Sequence, residues 1–322
     1  MFSPITASRN IRNGFIDYIT TTFHFADAAY EEGFKRALAE EGAVARGPYL
    51  DIGGSYETGR SLNQLIEEGE ASPLFRELEQ APEAKKELKL ERPLYLHQEA
   101  ALRKINAGKS LIVTTGTGSG KTECFLIPVV NHLLRQLESG TLEDAVHAII
   151  IYPMNALAND QMKRMRALLK DAQGIRFGLY NGNTKHTRKD ALSDYHRAHP
   201  GEEPLSNEAI SREEMQERPP HILITNYSMM EYMLLRPKDD AVFQNAQLRF
   251  IVLDEAHIYR GATGMETSLL LRRMHARIAH KSQLQYILTS ATLGDQNANA
   301  QIVDFGKRLC GDVPFDDTCI IR

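Results

Sequence analysis

The chain of 322 residues contains no tryptophan, and only 7% of its residues are aromatic. A broad aromatic platform that stacks successive bases, as in single-strand-binding proteins, is therefore not expected. Three cysteines occur, Cys124, Cys310 and Cys319, and none forms a CxxC pair. Because this set is odd in number and scattered, it does not form a disulfide framework, and we expect a reducing, cytoplasmic compartment.

Long apolar runs and an excess of one charge are also missing. The start, MFSPITASRNIRNGF, lacks the apolar core of a signal peptide, and no run approaches the ~20 residues that cross a bilayer. The net charge is −4, but it is uneven: residues 1–92 carry 11 Lys/Arg and 16 Asp/Glu, whereas residues 93–322 have a net charge of +1. A near-neutral body can still hold a local basic track, so nucleic acid is not excluded.

The pattern of apolar residues changes near residue 92. Residues 1–92 show helical periodicity and are expected to form a mostly helical, acidic N-terminal extension. Residues 93–322 alternate short Ile/Val/Leu-rich runs with helical stretches, which indicates an α/β, doubly wound parallel sheet buried on both faces. The predicted strands are 110–115, 147–153, 176–181, 221–226, 249–254 and 284–290.

The segment TTGTGSGKT, residues 114–122, lies between a predicted strand and a predicted helix. This is the context of a phosphate-binding loop, whose glycines turn backbone N–H groups towards phosphate oxygens. We expect Lys121 to reach the β- and γ-phosphates of ATP and Thr122 to ligate Mg²⁺. The predicted cofactor-binding residues are Thr117, Gly118, Ser119, Gly120, Lys121 and Thr122. The alternative is a flexible glycine-rich turn.

The segment FIVLDEAH, residues 250–257, is an apolar strand that ends in two adjacent carboxylates. Asp254 is expected to hold Mg²⁺ through water, and Glu255 to orient and deprotonate the attacking water. The two segments together predict an ATP hydrolase in which Lys121, Asp254 and Glu255 are catalytic. Taken alone, the second segment could also be a surface-exposed acidic strand end.

In the order Gln98, TGSGKT, DEAH and SAT (290–292), these motifs resemble the first RecA-like domain of a superfamily 2 DEAD/DEAH-box helicase. YRGATGMETSLLLRRMHARI (259–278) is similar to the YprA, MrfA and Hrq1-like branch, which is associated with DUF1998. Large helicase subunits of bacterial anti-phage systems, such as Druantia and DISARM, are similar here. The resemblance implies a RecA-like fold. It also implies a helicase or translocase that acts in DNA repair or antiviral defence, with DNA favoured over RNA as the bound nucleic acid.

The resemblance also implies roles for individual residues. Gln98 would read the adenine edge, and the elements that couple the γ-phosphate to the nucleic acid would be His257, Ser290, Ala291 and Thr292. YPMNALANDQ resembles motif Ia, although Met154 and Asn155 stand where Thr and Lys are usual. The candidate nucleic-acid contacts are Pro153, Asn155, Asn159, Gln161, Gly182, Thr184, Thr225 and Asn226. Nearby Lys163, Arg164, Lys185, Arg188 and Lys189 are either additional contacts or solvated surface.

Superfamily 2 motors close ATP between two RecA-like domains, and no QxxGRxxR segment of a second domain occurs in the sequence. We therefore expect a fragment, or one split subunit, whose partners include a second RecA-like domain and possible defence-system subunits, with no membrane partner. The alternative hypothesis is a nucleotide-gated interaction module that docks partner subunits through residues 1–92.

Overall fold

A computed structural model describes residues 3–40, 42–47, 49, 55–172, 174–277, 284–291, 298–311 and 313–322. The chain divides into two compact units, Met1–Ser55 and Tyr56–Arg322. The first unit contains helices α1 (Pro4–Thr22) and α2 (Ala28–Ala39), and Asp27 caps α2 by accepting hydrogen bonds from two of its backbone N–H groups. Among the described residues, no helix combines the length and the apolar character needed to cross a bilayer.

The second unit is built on a sheet in which all strand pairs are parallel, with the order β10-β3-β9-β8-β4-β7-β5-β6. A separate antiparallel pair joins β1 (Thr58–Ser61) and β2 (Pro93–Tyr95). The strands of the large sheet are β3 (Leu111–Val113), β4 (Ala148–Tyr152), β5 (Phe177–Tyr180), β6 (Glu208–Ala209), β7 (Ile222–Asn226), β8 (Phe250–Leu253), β9 (Gln285–Thr289) and β10 (Ile320–Ile321).

Helices cover both faces of this sheet. They are α3 (Leu62–Glu67), α4 (Phe75–Leu78), α5 (Pro82–Leu88), α6 (Leu96–Asn106), α7 (Glu123–Glu138), α8 (Asn155–Leu169), α9 (Arg188–Ala198), α10 (Arg212–Glu217), α11 (Tyr227–Leu235), α12 (Asp240–Gln244), α13 (Gly261–Arg277) and α14 (Asn299–Cys310).

Alternate residues of the strands enter two separate apolar cores. Ile150 and Val252, which are paired in register, belong to one core, whereas their neighbours Ile151 and Leu253 belong to the other. Both faces of the sheet are therefore buried, as the near-continuous apolar runs predict. The predicted α/β, RecA-like doubly wound sheet is confirmed, and each of the six predicted strands contains an observed one.

The sequence places a domain boundary near residues 92–93, whereas the division into units falls between Ser55 and Tyr56. The reason is packing: Leu62, Leu65 and Phe75 are fully buried in one of the two cores of the sheet. The Ser72 backbone N–H also donates to Asn131 Oδ1 of α7 at 2.8 Å. Residues 56–92 thus form part of the same compact unit as the sheet, and only the first 55 residues form a separate one.

Three histidines cluster where β4, β7 and β8 begin. His132 of α7 packs edge-on against Phe250 at 5.3 Å between ring centroids, and His147 lies 5.7 Å from His221. Burial, followed by the nearby charge of Arg249, lowers the pKa of His132 to about 4. Burial also lowers the pKa of His221 to about 4. These rings are neutral in the folded chain near neutral pH.

Acidification from pH 7 to pH 5 is expected to destabilise the fold. In this window the unfolded chain, whose histidines have an ordinary pKa of 6.5, binds protons that the folded chain excludes until the pH falls to about 4. One such histidine removes roughly 2 kcal/mol from the unfolding free energy at pH 5. His132→Phe keeps the ring packing and should lose correspondingly less stability on acidification, as measured by urea unfolding. An unchanged pH dependence would contradict the assignment.

Candidate functional site

The loops that follow six adjacent parallel strands meet at one edge of the sheet. β3 leads into the phosphate-binding loop, β9 into Ser290, and β8 into the Asp254–Glu255 pair. Of the next strands, β4 leads towards Asn155, β7 ends at Asn226, and β5 leads into the turn at residues 181–184. Ligands of open parallel sheets bind beyond the carboxyl ends of the strands. The topology therefore brings the predicted ATP-binding residues to one half of this edge and the predicted nucleic-acid contacts to the other.

The phosphate-binding loop depends on glycine for its shape. Gly118 and Gly120 have φ angles of +76° and +74°, in the left-handed region where side chains are disfavoured. A Cβ atom at Gly120 would lie 2.4 Å from Gln98 Nε2, so this glycine is also required for space. Residues 116–118 are exposed, which leaves the outer side of the loop open.

Polar groups of the loop hold one another in position. Lys121 Nζ donates to the carbonyl oxygens of Thr115 at 3.2 Å and Gly116 at 3.0 Å. The hydroxyls of Thr115 and Ser119 share a hydrogen bond of 2.7 Å. The lysine ammonium thus lies inside the curve of the loop, where its hydrogen bonds to carbonyl oxygens can be exchanged for bonds to phosphate oxygens.

Helix α6 supports the loop from behind. Gln98 is 2% exposed, and its Nε2 donates to Gly120 O at 3.1 Å while its Oε1 accepts from Tyr95 N–H. His97 Nε2 lies 2.8 Å from Ser119 O, and burial lowers the pKa of this ring. The amide of Gln98 is therefore committed to backbone atoms. Adenine recognition by Gln98 stays a prediction, and it requires the amide to exchange these partners.

The two carboxylates of DEAH are positioned by the neighbouring strand. Thr289, the last residue of β9, donates its hydroxyl to Asp254 and accepts the Glu255 backbone N–H at 3.3 Å. Burial raises the pKa of the Asp254 carboxyl, while Thr289 and the nearby charge of Lys121 act in the opposite direction. Glu255 has a left-handed φ of +50°, a strained conformation for a residue with a side chain. This backbone turn separates the directions of the two carboxylates.

His257 lies in a short 3₁₀ helix, Ala256–Ile258, directly after the carboxylates. Its Nδ1 is 3.2 Å from Ser290 Oγ, with which it forms a hydrogen bond, and also 3.2 Å from Glu255 Oε2. This ring therefore joins the Asp254–Glu255 turn to the segment that follows β9, and its coupling role stays a prediction. Ala291 follows Ser290, and Thr292 lies outside the described residues.

In the other half of the edge, two helices begin side by side. Asn226 caps α11 by accepting the Met229 N–H at 2.7 Å, and its Nδ2 donates to Asn155 Oδ1 at 2.6 Å. Asn155 is the first residue of α8, and no side chain caps that helix. Free backbone N–H groups and the helix dipole make such a terminus suitable for a phosphate.

The other predicted nucleic-acid contacts differ in accessibility. Asn159 and Gly182 are exposed, and Pro153 and Gln161 are partly buried. Thr225 is fully buried, and its hydroxyl donates to Tyr180 O at 2.7 Å. The Thr184 hydroxyl likewise donates to Leu179 O at 2.8 Å. The two hydroxyls therefore fix the strand ends, and any contact that they make with a ligand requires these bonds to be exchanged.

Four of the five basic residues named near this edge have acidic partners. Lys163 pairs with Asp160, Lys185 with Asp194, and Arg188 with Glu214. Arg164 contacts Glu87 and Glu123. This pairing leaves little unbalanced positive charge among these residues, so a grip on nucleic acid through amides and helix termini is favoured over a basic track.

Two functional features were missed from the sequence. Thr289 holds the Asp254 carboxylate and the Glu255 backbone N–H, yet the only signal in the sequence is its position at the end of a predicted strand next to SAT. The Arg164–Glu123 contact joins segments 41 residues apart in the chain. A lone arginine on a helix carries no signal that identifies its partner, and the sequence left open whether Arg164 contacts nucleic acid or solvent.

Gly120→Ala tests the packing around the loop. The variant should lose about 1–2 kcal/mol of unfolding free energy because alanine is disfavoured at a positive φ angle. A further loss is expected because the new Cβ displaces Gln98 Nε2. Gly140→Ala is the matched control: its φ is +68°, and a Cβ there would meet nothing within 4 Å. Equal destabilisation of both variants in urea unfolding would refute the close contact between Gln98 and the loop.

The DEAD/DEAH box helicase family profile matches residues 95–300, well over half of the chain. The chain is 30% identical to the Druantia protein DruE of Escherichia coli (strain UMEA 4076-1), in an alignment that covers 95% of this chain and 21% of DruE. It is also 29% identical to the ATP-dependent helicase YprA of Bacillus subtilis (strain 168), over 68% of this chain and 24% of YprA. The chain thus spans about a quarter or less of the length of these relatives.

The crystal structure of the DUF1998 helicase MrfA bound to DNA and AMPPNP is similar, with a TM-score of 0.56 and 22% identity. The similarity covers 84% of this chain and 30% of MrfA, and it supports the RecA-like fold. The resemblance to the YprA, MrfA and Hrq1-like branch and to a Druantia protein is confirmed. With its phosphate-binding loop, DEAH turn and sheet order in the expected places, the chain belongs to the DEAD/DEAH box helicase family.

Proposed function

We propose that this chain is the ATP-binding half of a DNA-dependent ATPase that acts as a helicase or translocase. One observation supports the proposal: strands β3, β9 and β8 end at the residues predicted to bind nucleotide, and β4, β7 and β5 end at those predicted to bind nucleic acid, along a single edge. A change at the phosphate side can therefore reach the nucleic-acid side through adjacent strand ends.

The donor set fits ATP and Mg²⁺. Asp254 accepts a hydrogen bond from the Thr289 hydroxyl, and the nearby charge of Lys121 favours the ionised form of its carboxyl. The described residues contain no cluster of three or more metal-ligating side chains. One carboxylate and the Thr122 hydroxyl are a sparse set, which suits a Mg²⁺ ion that keeps waters and phosphate oxygens as ligands. When bound, the ion would neutralise phosphate charge.

The residues of the chain have distinct tasks in hydrolysis. Lys121 leaves the carbonyls of Thr115 and Gly116 and binds phosphate oxygens, while the loop N–H groups bind the remaining charge. Glu255 orients the attacking water and accepts its proton at a carboxylate oxygen. Thr289 holds the Asp254 carboxylate and the backbone of Glu255 in place. His257 and Ser290 can exchange their hydrogen bond when phosphate is lost, which alters the end of β9.

Nucleic acid would bind along the ends of β4, β7 and β5. The uncapped start of α8 and the Asn155–Asn226 pair supply groups that recognise phosphates without reading bases. The structural neighbour MrfA is bound to DNA, whereas Mss116, a neighbour with the same TM-score of 0.56, is bound to ssRNA. We propose DNA for this chain because its resemblance is to the branch that includes MrfA. The exposed outer side of residues 116–118 suits closure by a second RecA-like domain or subunit. The similarity to DruE motivates a role in antiviral defence with partner subunits in the cytoplasm.

Two variants separate nucleotide binding from hydrolysis. Lys121→Ala should weaken binding of a fluorescent ATP analogue at least tenfold, because the cation inside the loop is lost. Glu255→Gln should keep nucleotide affinity within about twofold and lower the hydrolysis rate by 10²-fold or more, the scale of a lost general base. Lys86→Ala, an exposed lysine on α5, is the control. Unchanged hydrolysis in Glu255→Gln would overturn the assignment of the base.

Asn155→Asp tests the nucleic-acid half. The substitution keeps the Oδ1 acceptor for Asn226 Nδ2 and adds one negative charge where a phosphate is proposed to bind. We expect about tenfold weaker binding of a single-stranded DNA oligonucleotide, equivalent to ~1.4 kcal/mol. Asn245→Asp, exposed after α12, adds the same charge elsewhere and should leave affinity unchanged. Equal affinities of both variants would refute this site, and an RNA oligonucleotide of equal length tests the preference for DNA.

A further inference from the structure

We infer that the ion pair between Arg164 and Glu123 links the proposed nucleic-acid face to the phosphate-binding loop. This inference rests on the proposed function and adds two positioning residues to it. Arg164 lies on α8, nine residues after Asn155. Glu123 directly follows Thr122 and begins α7. Each residue therefore sits on a helix that starts at a different half of the edge.

The geometry of the pair is well defined. Arg164 Nη2 donates to Glu123 Oε1 at 2.7 Å, and Arg164 Nε donates to Glu87 Oε2 of α5 at 3.1 Å. The three side chains are only 27%, 18% and 33% exposed, respectively. Partial burial reduces screening by solvent and salt, so this pair is stronger and more directional than an exposed one.

Glu123 is also in contact with the loop itself. Its backbone N–H donates to Gly120 O at 3.2 Å, and its Oε2 would lie 2.9 Å from a Cβ at Gly120. That Oε2 is buried and has no hydrogen-bond partner. One carboxylate oxygen thus pairs with α8 while the other faces the loop. A shift of the loop backbone at Gly120 must move this carboxylate or break its bond to Arg164.

Nucleotide binding provides such a shift. Lys121 must leave the carbonyls of Thr115 and Gly116 to bind phosphate, which removes the two bonds that now set the curve of the loop. Because Glu123 is two residues further on, its carboxylate moves with this change. Arg164 transmits the displacement to α8, whose first turn is the proposed phosphate contact. The coupling acts in both directions, since linkage between two binding sites is reciprocal.

A second arginine on the same helix provides a matched comparison. Arg166 pairs with Glu208 of β6, at 2.7 Å from Nη2 to Oε1, and is similarly buried at 24% exposure. That pair lies at the far strand of the sheet order, away from the phosphate-binding loop. Loss of either arginine removes an ion pair from α8, but of the two only Arg164 pairs with a residue next to the loop.

The test measures how each ligand changes the affinity for the other. Binding of a single-stranded DNA oligonucleotide is titrated with and without saturating non-hydrolysable ATP analogue and Mg²⁺, in the parent chain and in Arg164→Gln, Glu123→Gln and Arg166→Gln. In the parent chain, the nucleotide analogue should change the affinity for DNA at least fivefold, within the usual allosteric range. In Arg164→Gln and Glu123→Gln this ratio of affinities should fall close to one, and in Arg166→Gln it should be retained. Arg164→Lys keeps the charge without the planar fork and should be intermediate.

The outcomes are distinguishable. Equal coupling in the parent and Arg164→Gln would overturn the inference, as would equal loss in Arg166→Gln, which would indicate a general destabilisation of α8. A parent chain that binds both ligands without mutual effect would overturn it too. Failure of the parent to bind the nucleotide would refute the proposed function itself, and this inference with it. If Arg164→Gln does not fold, as judged by circular dichroism, Arg164→Lys and Glu123→Asp decide by the same criterion.

Discussion

Parallel pairing of the strands is the constraint on which the site depends. In a parallel sheet every strand ends at the same edge, so residues that follow different strands lie close together although they are far apart in the sequence. Here the order β3-β9-β8-β4-β7-β5 places the phosphate-binding loop and the Asp254–Glu255 turn on one side and the starts of α8 and α11 on the other. Burial of both faces fixes the register, because a slip of one residue would exchange the two apolar cores.

Polar groups at this edge bind one another where ligands are proposed to bind. Lys121 donates to loop carbonyls, Gln98 donates to Gly120 O, and Asn226 donates to Asn155. Such bonds avoid the cost of leaving buried polar groups unpaired. Ligand binding is consequently an exchange of partners, in which the loop and the helix starts change their internal contacts as they acquire new ones. This exchange gives the site a physical means of reporting its occupancy to neighbouring elements.

Much of the architecture was predictable because its signals are local. The six apolar strands, the glycine loop and the DEAH turn each depend on neighbouring residues, and the structure has them in place. The packing of residues 56–92 was not predictable, since helical periodicity shows that Leu62 and Phe75 are buried but not which surface buries them. β10 has only two residues and carries no periodicity. Thr289 and Arg164 acquire their roles from partners on other elements, which a single sequence does not specify.

Two connections leave the nucleotide half of the edge, and they differ in character. The His257–Ser290 hydrogen bond lies beside Glu255, the proposed base, and depends on groups whose protons can rearrange. The Glu123–Arg164 pair lies behind the loop and depends on a fixed guanidinium fork. The first is placed to respond to cleavage of the γ-phosphate, because it contacts Glu255. The second is placed to respond to the presence of phosphates, because it follows Lys121 and Thr122. The proposed motor would need both signals, because nucleotide binding and hydrolysis would change its grip on nucleic acid at different moments.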